Sequence, residues 1–328
     1  MALSARNLTI AFFVLLAFGA VSPMALGDAK FPQWLEVIIG GLTSGVLYSL
    51  VALGLVLIFK ASGVFNFAQG AMVLFAALSL VRLMEKMPFL AALAVTIVIM
   101  VALAWIVERL VLRPLVNQEG IVLFMATLGV AYFLDGLGQT VWGSDIYTLN
   151  VGMPKEPKIL LESVFEGGIL VSMEDLLAAL LAALMVAVLT VFFQKTGTGR
   201  ALRAVADDHQ AAQSIGIPLN RIWVIVWSVA GLVALVAGII WGSKLGVQFS
   251  LSQIALKALP VVILGGFTSV PGAIIGGLII GLGEKVSEVY LGPLLGGGIE
   301  NWFAYVLALI FLLFRPEGLF GERHIDRV

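Results

Sequence analysis

Along the chain, apolar residues gather into long continuous runs, and polar residues are confined to the gaps between them. Ten runs stand out, near residues 7–26, 37–59, 64–84, 89–107, 120–142, 176–193, 222–242, 252–266, 271–285 and 299–314. None shows the period-two alternation that a membrane barrel strand requires over roughly ten residues. They are rich in Leu, Ala, Val and Gly, and a helix needs about 20 mostly apolar residues to cross a hydrocarbon core of roughly 30 Å. The pattern predicts an all-α polytopic integral membrane protein, a bundle of about eight to ten transmembrane helices. The windows at 252–266 and 271–285 are short, with "GGFTSVPG" between them. They read as two tilted spans or as half-helices that turn back inside the protein.

Composition agrees. Of 328 residues 61% are hydrophobic and only 12% charged, about half the charge of a soluble domain. No cysteine is present, which leaves neither a disulfide framework nor thiol chemistry. No basic stretch carries interleaved aromatics, so nucleic acid is not a predicted partner; the lipid bilayer is. Charge matters through its placement. With ten crossings and an inner N-terminus, the inner side receives Arg6, Lys60, Arg109, Arg113, Lys195, Arg200, Arg203, Arg221, Arg315, Arg323 and Arg327. The outer side keeps lysines, with Arg82 its one arginine. Arginine-rich loops stay inside, which puts residues 195–221 and the tail 322–328 in the cytoplasm.

The chain divides into an N-terminal apolar segment with its outer linker (1–36), a transmembrane domain (37–321) and the short tail. The first segment reads as a retained helix in preference to a signal peptide, because "SPMALGDA" lacks a clean A-x-A cleavage site. A weak echo links "GVFNFAQGAMVLFAAL" (63–78) to "GGFTSVPGAIIGGLII" (265–280), without a true repeat period.

Small residues form helical stripes: Gly41, Gly45 and Ala52 with Tyr48, then Gly272, Gly276 and Gly283 beside Ala273, Gly277 and Gly281. Such stripes let backbones approach closely within lipid and predict tight helix packing. Polar residues inside spans say more. Thr127, Ala131, Asp135, Gly138 and Gln139 share one face of the fifth segment. A carboxylate at depth costs roughly 2.5–3.5 kcal/mol and turns toward protein or water, unless Asp135 lies high enough to reach outer headgroups. Lys257 and Lys285 lie near predicted outer ends and are expected to snorkel. In "VFNFAQGA" (64–71), Asn66 and Gln69 stand among Phe65, Phe67 and Ala68 at a break between two apolar runs. Their amides could satisfy backbone groups freed by a broken helix, or they could meet a solute. With Phe65, Phe67, Thr127 and Asp135 they are the pathway candidates.

No G-x-x-x-x-G-K-[ST], H-E-x-x-H or nucleophile-elbow pattern occurs, so neither a phosphate-cradling loop, a metal motif nor a cofactor is expected. Nothing of this kind points to an enzyme, and no energy source of its own is visible in the chain. One segment stands apart. "GRALRAVADDHQAAQSIGI" (199–217) is short, charged and helix-forming between two spans. On a helix Leu202, Val205, Ala206, His209 and Ala212 share a face, with Arg200 and Arg203 toward others, and Gly216 and Pro218 end it. A short amphipathic helix held by two spans is well made to dock on a cytoplasmic partner.

Here the chain resembles a known family. "QAAQSIG" (210–216) is similar to the E-A-A-x-x-x-G coupling loop of ABC importer permeases, and the whole stretch to the version in branched-chain amino acid permeases. "GVFNFAQGA" resembles that family's V-I-N-F-A-H-G block, and "VERLVLRPL" (107–115) its E-R-x-x-x-R-P-L block. "VVILGGFTSVPGAIIGGLIIGLGE" (261–284) and "FRPEGLFG" (314–321) resemble its two later blocks, all in order between residues 38 and 321. The resemblance implies a bacterial inner-membrane permease that pairs with a second homologous permease, two cytoplasmic ABC ATPases and an external solute-binding protein. It makes Arg200, Leu202, Arg203, Val205, His209, Ala211, Ala212 and Gly216 the expected ATPase contacts. Two departures stand out: Gln210 where the motif has Glu, and Gln69 where the family has His. The solute could then be a branched-chain amino acid or, as in relatives, urea, a short amide or an aromatic acid. A stand-alone secondary transporter or channel, and a structural subunit of a membrane complex, are the competing readings, and neither requires the coupling motif.

Overall fold

The computed structural model describes residues 5–25, 30–63, 65–115, 118–165, 167–207 and 209–321; the tail expected at 322–328 lies outside them. Helices form where the apolar runs stand. They are α1 (Ala5–Ala25), α2 (Phe31–Ser62), α3 (Gln69–Met84), α4 (Phe89–Val107), α5 (Gly120–Trp142), α6 (Met173–Lys195), α9 (Leu219–Leu245), α10 (Ile254–Gly265), α11 (Val270–Leu295) and α12 (Phe303–Leu312). Between α6 and α9 lie α7 (Gly197–Asp207) and α8 (His209–Ser214). Among the described residues, six helical segments are long and apolar enough to cross a membrane, and α1, α3, α10 and α12 are or include shorter apolar helices. The expectation for 252–266 and 271–285 resolves unequally: α11 has 26 residues, α10 only 12, about 18 Å at 1.5 Å per residue. α2 begins at Phe31, six residues ahead of the predicted apolar window.

Two strands, β1 (Pro157–Leu160) and β2 (Ile169–Ser172), pair antiparallel in the polar connection after α5. Hydropathy windows are blind to so short a hairpin. Glu36 Oε1 accepts a hydrogen bond from Leu170 N at 2.5 Å, and Ser172 Oγ caps α6 by accepting from Asp175 N.

The chain forms two compact units. One comprises residues 50–153 and 184–256. α3 is its centre, with thirteen consecutive residues from Gln69 to Val81 buried, which is why no polar face marks it in the sequence. It packs on α9 and α5, and α4 packs on α9. α4 continues into a π turn (Glu108–Leu112) and a 3-10 turn (Arg113–Leu115), so the E-R-x-x-x-R-P-L block is where the helix unwinds. Glu108 is 3% exposed, with Oε1 lacking a hydrogen-bond partner among the described residues.

The other unit comprises residues 1–49, 154–183 and 257–328. There α2 and α11 touch backbone to backbone. A Cβ on Gly45 would fall 2.7 Å from Gly277 O, and one on Gly41 2.8 Å from Leu282 Cα; Gly277 and Gly281 face Ser49 and Gly45 just as tightly. The Gly41–Gly45 stripe thus meshes with Gly277 and Gly281, the contact that lipid permits only where side chains are absent, while Gly272 and Gly276 face Gly265 and Val261 of α10. α1 seats Phe12 against Phe311 and Phe314, with ring centroids 5.2 and 5.6 Å away. The R-P-x-G-L-F-G ending caps α10: Leu319 N and Phe320 N donate to Leu264 O and Gly265 O at 2.8 and 3.1 Å, satisfying carbonyls that a helix end leaves open.

Candidate functional site

The break before α3 gathers most of the pathway candidates. Asn66 and Gln69 are both 0% exposed. Asn66 Oδ1 accepts from Ala68 N at 3.0 Å, an Asx turn that stands in for the helical bond the chain has given up. Asn66 Nδ2 donates to Gln69 Oε1 at 3.2 Å, and Gln69 Nε2 donates to Ala230 O on α9 at 3.3 Å. Thr127 on α5, also 0% exposed, donates through Oγ1 to Phe65 O at 3.2 Å and Phe124 O at 3.0 Å. Phe65 and Phe67 meet at a tilt with ring centroids 4.6 Å apart, and Phe67 meets Phe124 edge-on at 4.7 Å. Five candidates therefore form one knot whose hydrogen bonds run into the protein. Asp135 is not part of it. It lies eight residues from Thr127, about 12 Å along α5, half-buried, with Oδ1 lacking a partner among the described residues.

The coupling candidates fold as two helices. Thr196 opens α7 by accepting from Gly199 N at 3.1 Å, a normal N-cap. α8 closes in a Schellman motif, with Ile217 N donating to Ala212 O and Gly216 N to Gln213 O, both at 3.0 Å. Gly216 takes φ +87°, with nothing within 4 Å of the position of a Cβ. Leu202, Val205 and Ala212 are 2%, 0% and 2% exposed, because α7 and α8 pack on α9 of the same chain. The apolar face expected to meet a partner is thus already covered within this chain. Arg203 donates through Nη1 to Phe193 O and through Nη2 to Gln194 O, capping the carbonyl end of α6. Exposed among the described residues are Arg200, Ala211, Gln213, Ser214 and Gly216, with Ile215 the large apolar member at 74%. His209 lies on α8, and its side chain is outside the described residues.

One cluster was not anticipated. Glu284 on α11 is 5% exposed, faces the Tyr48 hydroxyl of α2, and lies 3.6 Å through Oε1 from Lys257 Nζ of α10. Lys257 therefore pairs inside its unit and does not simply snorkel. The signal was present: Glu284 is a carboxylate within an apolar helix. It was hidden because the apolar window ends at residue 285, which made Glu284 look terminal.

Residues 37–315 match the family model described as branched-chain amino acid transport system / permease component. The chain is 29% identical over 311 residues to the high-affinity branched-chain amino acid transport system permease protein BraD of Pseudomonas aeruginosa, covering 90% of this chain and 98% of that one. It is 28% identical over 321 residues to LivH of Escherichia coli, covering 91% and 99%. A probable LivH of the archaeon Methanocaldococcus jannaschii is 29% identical over 299 residues, covering 85% and 91%. With the matched region running through the amide knot, the α7–α8 pair and the α10–α11 hairpin, the chain belongs to the family of branched-chain amino acid transport permease components.

Proposed function

We propose that this chain is the membrane-spanning subunit of an ATP-driven ABC importer for branched-chain or related amino acids. It works with a second homologous permease, two cytoplasmic ATPases and an external solute-binding protein, and carries no ATPase site of its own. The observation that carries this reading is the α7–α8 pair. A charged helical segment clamped to α9, capped at both ends and tied to α6 through Arg203 forms a rigid lever, and its exposed ridge of Arg200, Ala211, Ile215 and Gly216 offers an ATPase one apolar knob on a polar rim. Family membership and the names of the relatives support the solute class. Gln69, buried and bonded to Ala230, supports a structural role for the amide knot, so its departure from His does not of itself alter the solute.

Reconstitution tests the reading. The chain, assembled with its permease partner and ATPases in lipid vesicles, should accumulate L-leucine only with ATP inside and binding protein outside. Ile215→Asp should depress solute-stimulated ATP hydrolysis and uptake together, by tenfold or more, because it places an unpaired charge in the contact. Accumulation driven by an ion gradient without ATPases would establish the secondary-transporter reading, which is favoured by Asp135, whose Oδ1 lacks a partner among the described residues.

A further inference from the structure

Tyr48, Lys257 and Glu284 meet within the unit built on α2, α10 and α11. Helix geometry brings them there. α2 and α11 run antiparallel, with Gly45 on Gly277 and Ser49 Oγ donating to Ile274 O at 3.1 Å. Side chains lean toward the N-terminus of their own helix, so Tyr48 and Glu284 lean toward each other along the seam. Glu284 stands fourteen residues beyond Val270, about 21 Å at 1.5 Å per residue, and thus inside a hydrocarbon layer of roughly 30 Å. One turn further, Glu288 accepts from Gly298 N and Glu300 N at 3.0 and 2.9 Å, where the chain folds back.

The Lys257 side chain is 37% exposed while that of Glu284 is 6% exposed. An ammonium exposed to that degree at such depth is not left against hydrocarbon; it faces water or a polar surface. Its separation from Glu284, 3.6 Å, is longer than the ~2.7–2.9 Å of a close charged hydrogen bond. The result is a loose pair of opposite charges, open on the lysine side and closed behind the glutamate by a tyrosine hydroxyl. A zwitterion can replace such a pair without changing the buried net charge: its ammonium goes to the carboxylate and its carboxylate to the ammonium. An uncharged amide cannot.

We propose that Lys257 and Glu284, with Tyr48 as the positioning hydroxyl, form a station on the solute route that takes the carboxylate and the ammonium of a zwitterionic amino acid. This rests on the import reading above.

The test uses the assembled complex in vesicles with L-leucine as probe. Lys257→Met and Glu284→Gln should each lower uptake at least tenfold. The double variant discriminates. If the pair is only an internal strut, neutralising both members removes the lone charge that each single change leaves, and uptake returns to near the unsubstituted level; that result overturns the proposal. The station predicts instead that the double variant assembles in normal yield and stays at least tenfold low in uptake. A second measurement does not depend on the solute. The chain has no cysteine, so Lys257→Cys provides a single thiol, which a small charged methanethiosulfonate should label and saturating solute should protect. No labelling in any nucleotide state overturns the station. An unsubstituted complex that accumulates no amino acid overturns the import reading and the solute assignment with it, whereas failure confined to the double variant or to the labelling overturns the station alone.

Discussion

Asn66 and Gln69 stabilise a turn in which α3 starts one residue after Ala68 without a side-chain cap. Removing either amide leaves buried backbone and side-chain groups without partners, each costing about 1–3 kcal/mol. Asn66→Ala and Gln69→Ala should therefore lower the thermal midpoint and the assembly yield of the detergent-purified complex before any change in apparent solute affinity. Intact stability with uptake lost would make them pathway residues instead. Gly216 makes the other residue-scale case. Its left-handed φ of +87° suits glycine and tolerates asparagine but penalises other side chains by roughly 1–2 kcal/mol. Space is not the obstacle, since a Cβ there meets nothing. Gly216→Asn should keep coupling near normal, measured as solute-stimulated ATP hydrolysis, and Gly216→Val should fray α8 and reduce it several-fold. If both lose coupling equally, the backbone itself must be approached by the ATPase.

At the scale of elements, the α2–α11 seam and the outer face of α5 make opposite use of glycine. Gly277 has Ser49 and Gly45 where its Cβ would go, whereas Gly129 and Gly136 on α5 have nothing within 4 Å. Gly277→Ala should force the helices apart and cost a few kcal/mol, as overpacking does, seen as loss of folded yield. Gly129→Ala should be neutral or stabilising by up to about 1 kcal/mol, since alanine loses less freedom in a helix. Thermal melting of the two single variants, side by side, checks the contrast; equal losses would mean that the seam is not a close contact. The α7–α8 pair shows why a helical wheel alone misdirects. It correctly groups Leu202, Val205 and Ala212, but whether a grouped apolar face meets a partner or the neighbouring helix depends on where α9 lies.

At the scale of the whole molecule, orientation follows from nine of ten arginines falling on the proposed inner side. The hairpin at 157–172 then lies outside, and the α7–α8 lever inside. In intact cells Lys158→Cys should react rapidly with an impermeant thiol reagent, while Thr198→Cys reacts only after permeabilisation. The reverse pattern would invert the molecule and remove the lever from any cytoplasmic ATPase. Bound to the lever, the ATPases would act on α6 through Arg203 and on α9 through the buried face of α7, two helices rather than one.

Hydropathy, arginine placement and the five motif blocks determined the class of protein, the position of every long helix, the charged helical insertion and the family. These are local or additive properties, and a membrane solvent makes them strong because each span must satisfy its own backbone. Pairing between distant segments was left to the tertiary structure. Gln69 bonds Ala230, Thr127 bonds Phe65, and Gly45 meets Gly277, contacts that no spacing rule ties together. Glu284 illustrates the limit most sharply: in the sequence it is one acidic residue near the edge of an apolar window, and only the antiparallel approach of α2 and the short reach of α10 bring Tyr48 and Lys257 to it. The physical reason is that an apolar face announces only that it will be buried, because hydrophobic burial is non-directional, whereas a buried polar group requires one particular partner, and that partner is chosen by the fold.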